Sequence, residues 1–148
     1  MAKVKVGEPA PDFTLRDENN QEVRLSSLRG APVVLVFYPA DFSPICTNEL
    51  CAIRDDFSAF EARGAMVFGI SRDSPWAHRA FKEKEGLKHS LLADMKGEVA
   101  RLYGCWNEGL GIAERLTVVI DAEGVIRYVT HNPPLQARDH KEAIAALE

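Results

Sequence analysis

Two cysteines, Cys46 and Cys51, are the residues of this sequence whose types and spacing most clearly favour chemistry. Cys46 follows Ser43 and Pro44, which are typical of the N-cap and the first residue of a helix. That assignment places Cys46 in the first helical turn, where backbone N–H groups lack helical partners and the helix dipole favours an anion. A thiolate held there is a nucleophile, so the pattern predicts cysteine chemistry at position 46.

The five-residue separation between Cys46 and Cys51 limits what the pair can do. On an ideal helix five residues turn about 500°, so the side chains point about 140° apart with an axial rise of about 7.5 Å. A disulfide needs Cα atoms about 4.4–6.8 Å apart. A bond between these two cysteines therefore requires the first turns of the helix to unwind.

Metal and cofactor binding are not predicted. No two of the four histidines are three or four positions apart; they are His78, His89, His131 and His140. The cysteines do not form the Cys-x-x-Cys motif of zinc knuckles and of thioredoxin-type disulfide reductases. No glycine-rich phosphate loop follows a strand. We expect no bound cofactor.

The elements that must position Cys46 follow from the hydrophobic pattern. Apolar runs and turn signals predict strands at 13–15, 22–25, 32–38, 65–70, 91–93, 116–120 and 125–129. Helical periodicity predicts helices at 43–63, 75–86, 98–103 and 139–147. This order predicts one α/β (α+β) domain over residues 1–148, in which helices cover a central mixed sheet and an N-terminal hairpin forms an extension.

The helix predicted at 43–63 begins where the central strand at 32–38 ends. That strand is apolar throughout, which favours a position covered on both faces. Open α/β sheets usually place their ligand sites at the carboxyl ends of such strands. One stripe of the helix is apolar, at steps of four and three: Cys46, Leu50, Ile53, Phe57 and Phe60.

The segment Pro39-x-x-x-Ser43-x-x-Cys46 resembles the active-site motif of the peroxiredoxins, thiol peroxidases that reduce hydroperoxides. Similar pieces stand in the same order at 7–15 (G-x-x-A-P-D-F-T-L), at 28–30 (L-R-G) and at Arg115. The resemblance covers nearly the whole chain. It implies a thioredoxin-like fold, with which the predicted element order is compatible.

By that resemblance Cys46 is the peroxidatic cysteine, whose thiolate attacks the peroxide and becomes a sulfenic acid. Ser43 would hydrogen-bond the sulfur and the peroxide, and Arg115 would donate to the thiolate and to the peroxide oxygens. Pro39 would wall the pocket and exclude water. Glu49, one helical turn after Cys46, would orient Arg115. Many family members have threonine where this chain has Ser43, so the hydroxyl is retained without the methyl that stiffens its rotamer.

The resemblance implies two ways in which the sulfenic acid of Cys46 could be reduced back to the thiol. The spacing of Cys46 and Cys51 resembles the peroxiredoxin Q (bacterioferritin-comigratory) subfamily, in which the helix unfolds and thioredoxin usually reduces the disulfide. Residues 73–76 and 103–108 look closer to the alkyl hydroperoxide reductase E type, which works with one cysteine and an external thiol. We favour Cys51 as the resolving cysteine, and Cys105 is the alternative resolver.

Other interpretations of the same residues stay open. The chain could be a non-enzymatic peroxide-sensing redox switch in which Cys46–Cys51 oxidation changes a surface. Each cysteine could instead be a small buried apolar residue. Arg115 could be a surface charge on a strand, and Glu49 a carboxylate favoured by the helix dipole.

Composition excludes several classes of protein. The chain has 148 residues, of which 46% are hydrophobic and 27% charged, typical of a globular domain. A net charge of −4 argues against nucleic acid and anionic membranes as partners. The start lacks the apolar core of a signal peptide, so we expect a cytoplasmic location. The partners expected are a small hydroperoxide and a thioredoxin-like reductant, and the chain is a monomer or a homodimer with Phe42 or Trp76 at the contact.

Overall fold

The computed structural model describes residues 3–147 of the chain. The strands within this range are β1 (Thr14–Asp17), β2 (Glu22–Arg24), β3 (Val33–Phe37), β4 (Met66–Ser71), β5 (Ser90–Ala93), β6 (Trp106–Asn107), β7 (Ile112–Ala113), β8 (Arg115–Ile120) and β9 (Ile126–Asn132). The α-helices are α1 (Pro44–Asp55), α2 (Phe57–Glu61), α3 (Pro75–Glu85), α4 (Glu98–Tyr103) and α5 (Lys141–Ala145). A short 3₁₀ helix spans Leu25–Leu28. None of these helices is long and apolar enough to cross a bilayer.

Seven strands form one mixed sheet in the order β2-β1-β5-β4-β3-β8-β9. The three inner strands β3, β4 and β5 are parallel, whereas β8, β9, β1 and β2 join by antiparallel pairing. The predicted mixed sheet is therefore present. The N-terminal hairpin is more than an extension of it, because β1 pairs with β5 and continues the sheet, with Arg16 opposite Ala93.

The sheet separates two hydrophobic cores, and each core buries one cysteine. All five residues of β3 are buried, as its continuous apolar run predicts. Successive side chains point to opposite faces, so Val34 and Val36 pack in the core that contains Cys46. Leu35 packs in the core that contains Cys105. We call these two sides of the sheet the Cys46 face and the Cys105 face.

The helix predicted at 43–63 is interrupted. Asp56 has φ −100° and ψ 15°, outside regular helical values, and it separates α1 from α2. Its carboxylate contacts His140 Nε2 at 2.9 Å. One irregular residue shifts the helical period little, so Phe57 and Phe60 still pack against the core of the Cys46 face. The apolar stripe was therefore predicted correctly, and the continuous helix was wrong.

Other element boundaries also differ from the prediction. The C-terminal helix spans Lys141–Ala145 instead of 139–147, and β9 extends to Asn132 instead of ending at 129. The small hairpin of β6 and β7 was not predicted, because each of its strands has only two residues and carries no alternation to detect. The hairpin of β8 and β9 was predicted and is present.

Candidate active site

Cys46 is the third residue of α1, in its first turn, as the Ser43-Pro44 signal predicts. Its side chain is fully buried against the end of β3. Ser43 occupies the N-cap position, but its hydroxyl does not cap the helix; it donates to the Ala40 carbonyl at 2.9 Å. The predicted position of Ser43 is thus right, while the capping hydrogen bond is absent. Pro39 is buried in the same loop.

Glu49 and Arg115 form the ion pair that the resemblance leads one to expect. Arg115 Nη1 donates to Glu49 Oε1 at 2.5 Å, and both side chains are buried. Arg115 Nε donates to the Pro134 carbonyl at 2.7 Å, so the guanidinium is held from two directions. The Nη2 donors of Arg115 take no part in these two bonds, and they provide fixed N–H groups for an anion.

A second arginine, Arg138, completes this network and was missed by the sequence analysis. Its backbone N–H donates to Glu49 Oε2 at 2.7 Å, and its Nε lies 3.3 Å from the same oxygen. Its two terminal nitrogens donate to Thr117 Oγ1 at 3.2 Å and to the Phe37 carbonyl at 2.5 Å. In the sequence, Arg138 reads as a charge in a polar loop after β9. No spacing links it to the motif around Cys46.

The electrostatic balance of this network is positive, because two guanidinium groups share one carboxylate. Burial lowers the pKa of Arg138, and the charges of Glu49 and Cys46 act in the opposite direction while Arg115 lowers it further. The Cys46 sulfur is therefore within electrostatic reach of Arg138. Two buried cations that share one carboxylate are suited to stabilise a developing negative charge on oxygen.

The loop between β3 and α1 is anchored by a second buried network. The Asp41 carboxylate accepts a hydrogen bond from Tyr38 Oη at 2.5 Å and lies 2.7 Å from His78 Nδ1. The backbone N–H of Asp41 donates to Asp73 Oδ2 at 2.8 Å. His78 Nε2 donates to the Leu92 carbonyl at 2.9 Å, since a carbonyl oxygen only accepts. Burial, and next the charge of Asp41, raise the pKa of Tyr38.

This second network also bears on metal binding. Asp41, Asp73 and His78 have potential ligand atoms within 4.8 Å of one another, a cluster that the scattered histidines of the sequence did not predict. Both ring nitrogens of His78 and both carboxylate oxygens of Asp41 are hydrogen-bonded within the protein. Because each ring nitrogen of His78 has only one site for a partner, and both sites are used, the cluster fits a loop anchor better than a metal centre.

Phe42, in the same loop, has a strained backbone. Its φ of 68° lies in the left-handed region, which is unfavourable for a bulky residue. The ring packs on Phe81 of α3 with the centroids 4.9 Å apart, and Lys84 Nζ lies 5.7 Å from the Phe42 centroid. The Asp41 network on one side and these ring contacts on the other hold the strained residue in place.

Cys51 lies on the same helix as Cys46 but faces α3. Its Sγ donates to Glu85 Oε1 at 3.4 Å, and the side chain is half-buried. Burial and then the hydrogen bond to Glu85 raise the pKa of the Cys51 thiol. Both cysteines are free thiols on α1, and the unwinding that a disulfide between them would need stays a prediction.

Cys105 is buried on the opposite side of the sheet, in the Cys105 face. Burial raises the pKa of its thiol, and the charges of Asp94 and Glu114 add to this while Arg138 opposes them. Cys105 and Cys46 thus lie in different cores, whereas Cys51 shares α1 with Cys46. Cys51 as the resolving cysteine stays a prediction.

Comparisons with known proteins identify relatives of the chain. Residues 6–129 match the model of the AhpC/TSA family. The chain is 43% identical over 133 residues to "Peroxiredoxin Q, chloroplastic" of Suaeda salsa, covering 89% of this chain and 62% of the relative. It is 41% identical over 150 aligned positions to "Alkyl hydroperoxide reductase E" of Mycobacterium bovis, covering 97% and 98%. The chain spans about three fifths of the length of the chloroplastic relatives that it matches.

Solved structures give the same picture. The peroxidoxin BcpB of Mycobacterium tuberculosis superposes with a TM-score of 0.88 at 35% identity, covering 97% of this chain and 96% of the other. The reduced 2-Cys peroxiredoxin of Plasmodium vivax also superposes with a TM-score of 0.88, at 28% identity, covering 97% and 80%. These matches confirm the predicted thioredoxin-like fold.

Proposed function

Because the chain belongs to the AhpC/TSA family, we propose that it is a thiol peroxidase that reduces hydrogen peroxide and organic hydroperoxides at Cys46. The strongest support is the position of Cys46 in the first turn of α1, beside a buried network in which Glu49 holds two arginines. Such a site offers fixed donors to the oxygens of a peroxide.

The first step is nucleophilic attack at a peroxide oxygen. The Cys46 thiolate forms an S–O bond in line with the O–O bond, which breaks. Sulfur is oxidised to sulfenic acid, and the other oxygen takes a proton and leaves as water or an alcohol. The Nη2 donors of Arg115, which lie outside the two hydrogen bonds described above, stabilise the charge that moves along the breaking bond. The Ser43 hydroxyl donates to Ala40 in this structure, and its lone pairs can accept from a peroxide O–H.

Substrate access requires the loop over Cys46 to move, since the Cys46 side chain is fully buried. The loop contains the strained Phe42, whose ring is half exposed. This loop joins β3 to α1 directly before Cys46, so its movement would open a path to the sulfur. The buried Pro39 lines this loop without a backbone donor that could compete for the peroxide.

The second step forms a Cys46–Cys51 disulfide. The Cys51 sulfur attacks the sulfenic sulfur of Cys46, and water leaves. Since both residues lie on α1, its first turns unwind for the two sulfurs to meet. A thioredoxin-like dithiol then reduces the disulfide by thiol exchange.

We also propose that residues 1–148 act as one unit in the cytoplasm, where a reducing environment regenerates the thiols. The chain would be a monomer, or a homodimer with the exposed ring of Phe42 or Trp76 at the contact. Elution at the monomer position at high concentration in size-exclusion chromatography would exclude the dimer.

The test is intact mass with peptide mapping after one equivalent of hydrogen peroxide is added to the fully reduced protein. A Cys46–Cys51 disulfide supports the two-cysteine cycle, and the variant Cys105→Ser should form it as the wild type does. Oxygen on Cys46 without a disulfide would make the protein a one-cysteine peroxidase that needs an external thiol. An unmodified Cys46 would overturn the peroxidase itself.

A second assay distinguishes a peroxide-sensing redox switch from a peroxidase. With excess peroxide and a dithiol reductant, an enzyme consumes many equivalents of peroxide per chain. A protein that oxidises once and is reduced slowly is a redox switch.

A further inference from the structure

We propose that Glu85 is the catalytic base of the resolving step, taking the proton from the Cys51 thiol as its sulfur attacks the sulfenic acid of Cys46. This inference rests on the proposed two-cysteine cycle and assigns a residue outside the peroxide site to it. Glu85 ends α3, far along the chain from both cysteines, and the sequence motif gives it no role.

The contact that carries the proposal is the one between Cys51 Sγ and Glu85 Oε1, 3.4 Å apart. A carboxylate only accepts, so the thiol proton lies on the line to Glu85. This places a base within hydrogen-bond reach of the proton that must leave, which is the first requirement for general base catalysis.

The thiol needs such a base. Burial and then the hydrogen bond to Glu85 raise the pKa of Cys51. The charge of Arg54 on α1 acts to lower it, and the charges of Glu85 on α3 and Asp55 on α1 act to raise it. Cys51 is therefore a thiol at neutral pH, whereas the attacking species in thiol–disulfide chemistry is the thiolate. A carboxylate that removes the proton during the attack would let the Cys51 thiol react as a thiolate.

The same residue keeps Cys51 in place while Cys46 moves. Arg54, in the last turn of α1, donates through Nη1 to the backbone carbonyl of Glu85 at 2.5 Å. The second half of α1 is thus tied to the end of α3 by a side-chain and a backbone contact. The first turn of α1 can then unwind and bring the sulfenic acid to a Cys51 that remains beside its base.

The step balances as a substitution at sulfur. The S–H bond of Cys51 breaks toward Glu85 as the S–S bond forms, and the S–O bond of Cys46 breaks. The departing hydroxide receives the proton from Glu85 and leaves as water. Cys51 is oxidised to the disulfide level and the sulfenic sulfur is reduced to it, so no further oxidant is needed.

The experiment compares Glu85→Gln with the wild type in a single turnover. One equivalent of peroxide is added to reduced protein, samples are quenched over time, and sulfenic acid and disulfide are quantified by dimedone labelling and mass spectrometry. We expect sulfenic acid to form at the wild-type rate and disulfide to form about 100-fold more slowly at pH 7. With excess peroxide, the variant should accumulate sulfinic acid at Cys46, because the unresolved sulfenic acid reacts again.

The pH profile distinguishes a base from a structural contact. In Glu85→Gln the rate should follow the thiolate fraction, rising about tenfold per pH unit until it meets the flatter wild-type profile at high pH. A structural defect would not be rescued by raising the pH. Glu85→Asp, which keeps a carboxylate, should restore part of the rate.

Glu83→Gln is the matched control, since it removes the same charge from an exposed glutamate of α3 that pairs only with Arg79 among the described ion pairs. It should resolve at the wild-type rate. Equal resolution rates in Glu85→Gln and the wild type would overturn the role of Glu85 and leave the peroxidase intact. A wild type that forms sulfenic acid but no Cys46–Cys51 disulfide would overturn the two-cysteine cycle and the role of Glu85 together.

Discussion

The two faces of the sheet each bury a cysteine, but they surround it differently. On the Cys46 face the thiol lies at a helix N-terminus beside two arginines that share Glu49. On the Cys105 face the thiol packs among apolar side chains, and burial raises its pKa. Both sulfurs are equally hidden, and the charge of Arg138 acts on both of them. The difference between the two thiols is therefore the position of Cys46 in the first turn of a helix, a setting that favours a reactive cysteine.

The strongest contrast between the faces is expected in catalysis. Cys46→Ser should abolish peroxide consumption, because a serine hydroxyl is not a nucleophile toward peroxide under these conditions. Cys105→Ala should keep the rate within about twofold, since its side chain contacts the apolar core of the other face. Peroxide consumption with a dithiol reductant measures both. A loss of turnover in Cys105→Ala would place Cys105 in the cycle and break the contrast.

The next largest effect concerns the charges that the Cys46 face buries. Glu49→Gln leaves the guanidinium groups of Arg115 and Arg138, whose side chains are 2% and 4% exposed, without their shared anion. Removing one partner of a buried ion pair costs about 3–5 kcal/mol, so we expect the free energy of unfolding to fall by that amount. Urea unfolding followed by circular dichroism measures it.

The exposed Glu61, at the end of α2, provides a control of the same chemistry. Glu61→Gln should change the free energy of unfolding by less than about 0.5 kcal/mol. If Glu49→Gln is too unstable to purify, Arg115→Lys tests the network instead. The lysine keeps the positive charge but loses the second guanidinium contact. We expect the variant to lower the rate constant of the peroxide reaction by a larger factor than it lowers the folding equilibrium constant.

The same contrast explains what could be predicted from the sequence. The buried strand β3, the helix start at Pro44 and the pairing of Glu49 with Arg115 all follow from local patterns or from a motif. Arg138 contacts Glu49 across 89 residues, and no pattern marks such a partner. His78 meets Asp41 across 37 residues for the same reason. The positions of the cysteines could be predicted from local patterns. The charged residues around them could not, because tertiary packing brings them together.

His89 sharpens the comparison, because it is a polar residue on the Cys46 side that lacks the partners given to His78. Among residues 3–147, neither ring nitrogen of His89 has a hydrogen-bond partner. Burial, and next the charge of Lys82, lower its pKa to about 3 from an ordinary 6.5. Below pH 6.5 His89 therefore binds a proton in the unfolded chain but stays neutral in the folded chain. The contribution of neutral His89 to the free energy of unfolding is thus fully present above pH 6.5 and is lost as the pH falls toward 3.

We expect His89→Leu to raise the free energy of unfolding by about 1–2 kcal/mol at neutral pH, since an unsatisfied buried polar group is removed. Between pH 6.5 and 5 the wild type should lose about 1.6 kcal/mol of its free energy of unfolding through this residue, and the variant should lack that loss. Urea unfolding across this pH range measures both effects. An acid slope that persists unchanged in the variant would show that His89 is partnered in solution.

The smallest effect is expected for Ser43→Thr, because serine already supplies the hydroxyl that threonine would bring. The hydroxyl donates to the Ala40 carbonyl, and threonine offers the same hydroxyl with a methyl that restricts its rotamer. Ser43→Thr should change the peroxide rate constant by less than about threefold, because χ1 restriction is worth only a fraction of a kcal/mol. Ser43→Ala, which removes the hydroxyl, should slow the reaction by about tenfold, equivalent to one hydrogen bond. Stopped-flow measurement of Cys46 oxidation separates the two. If the alanine variant reacts as fast as the threonine variant, the arginines alone activate the peroxide and the hydroxyl serves only to shape the loop before α1.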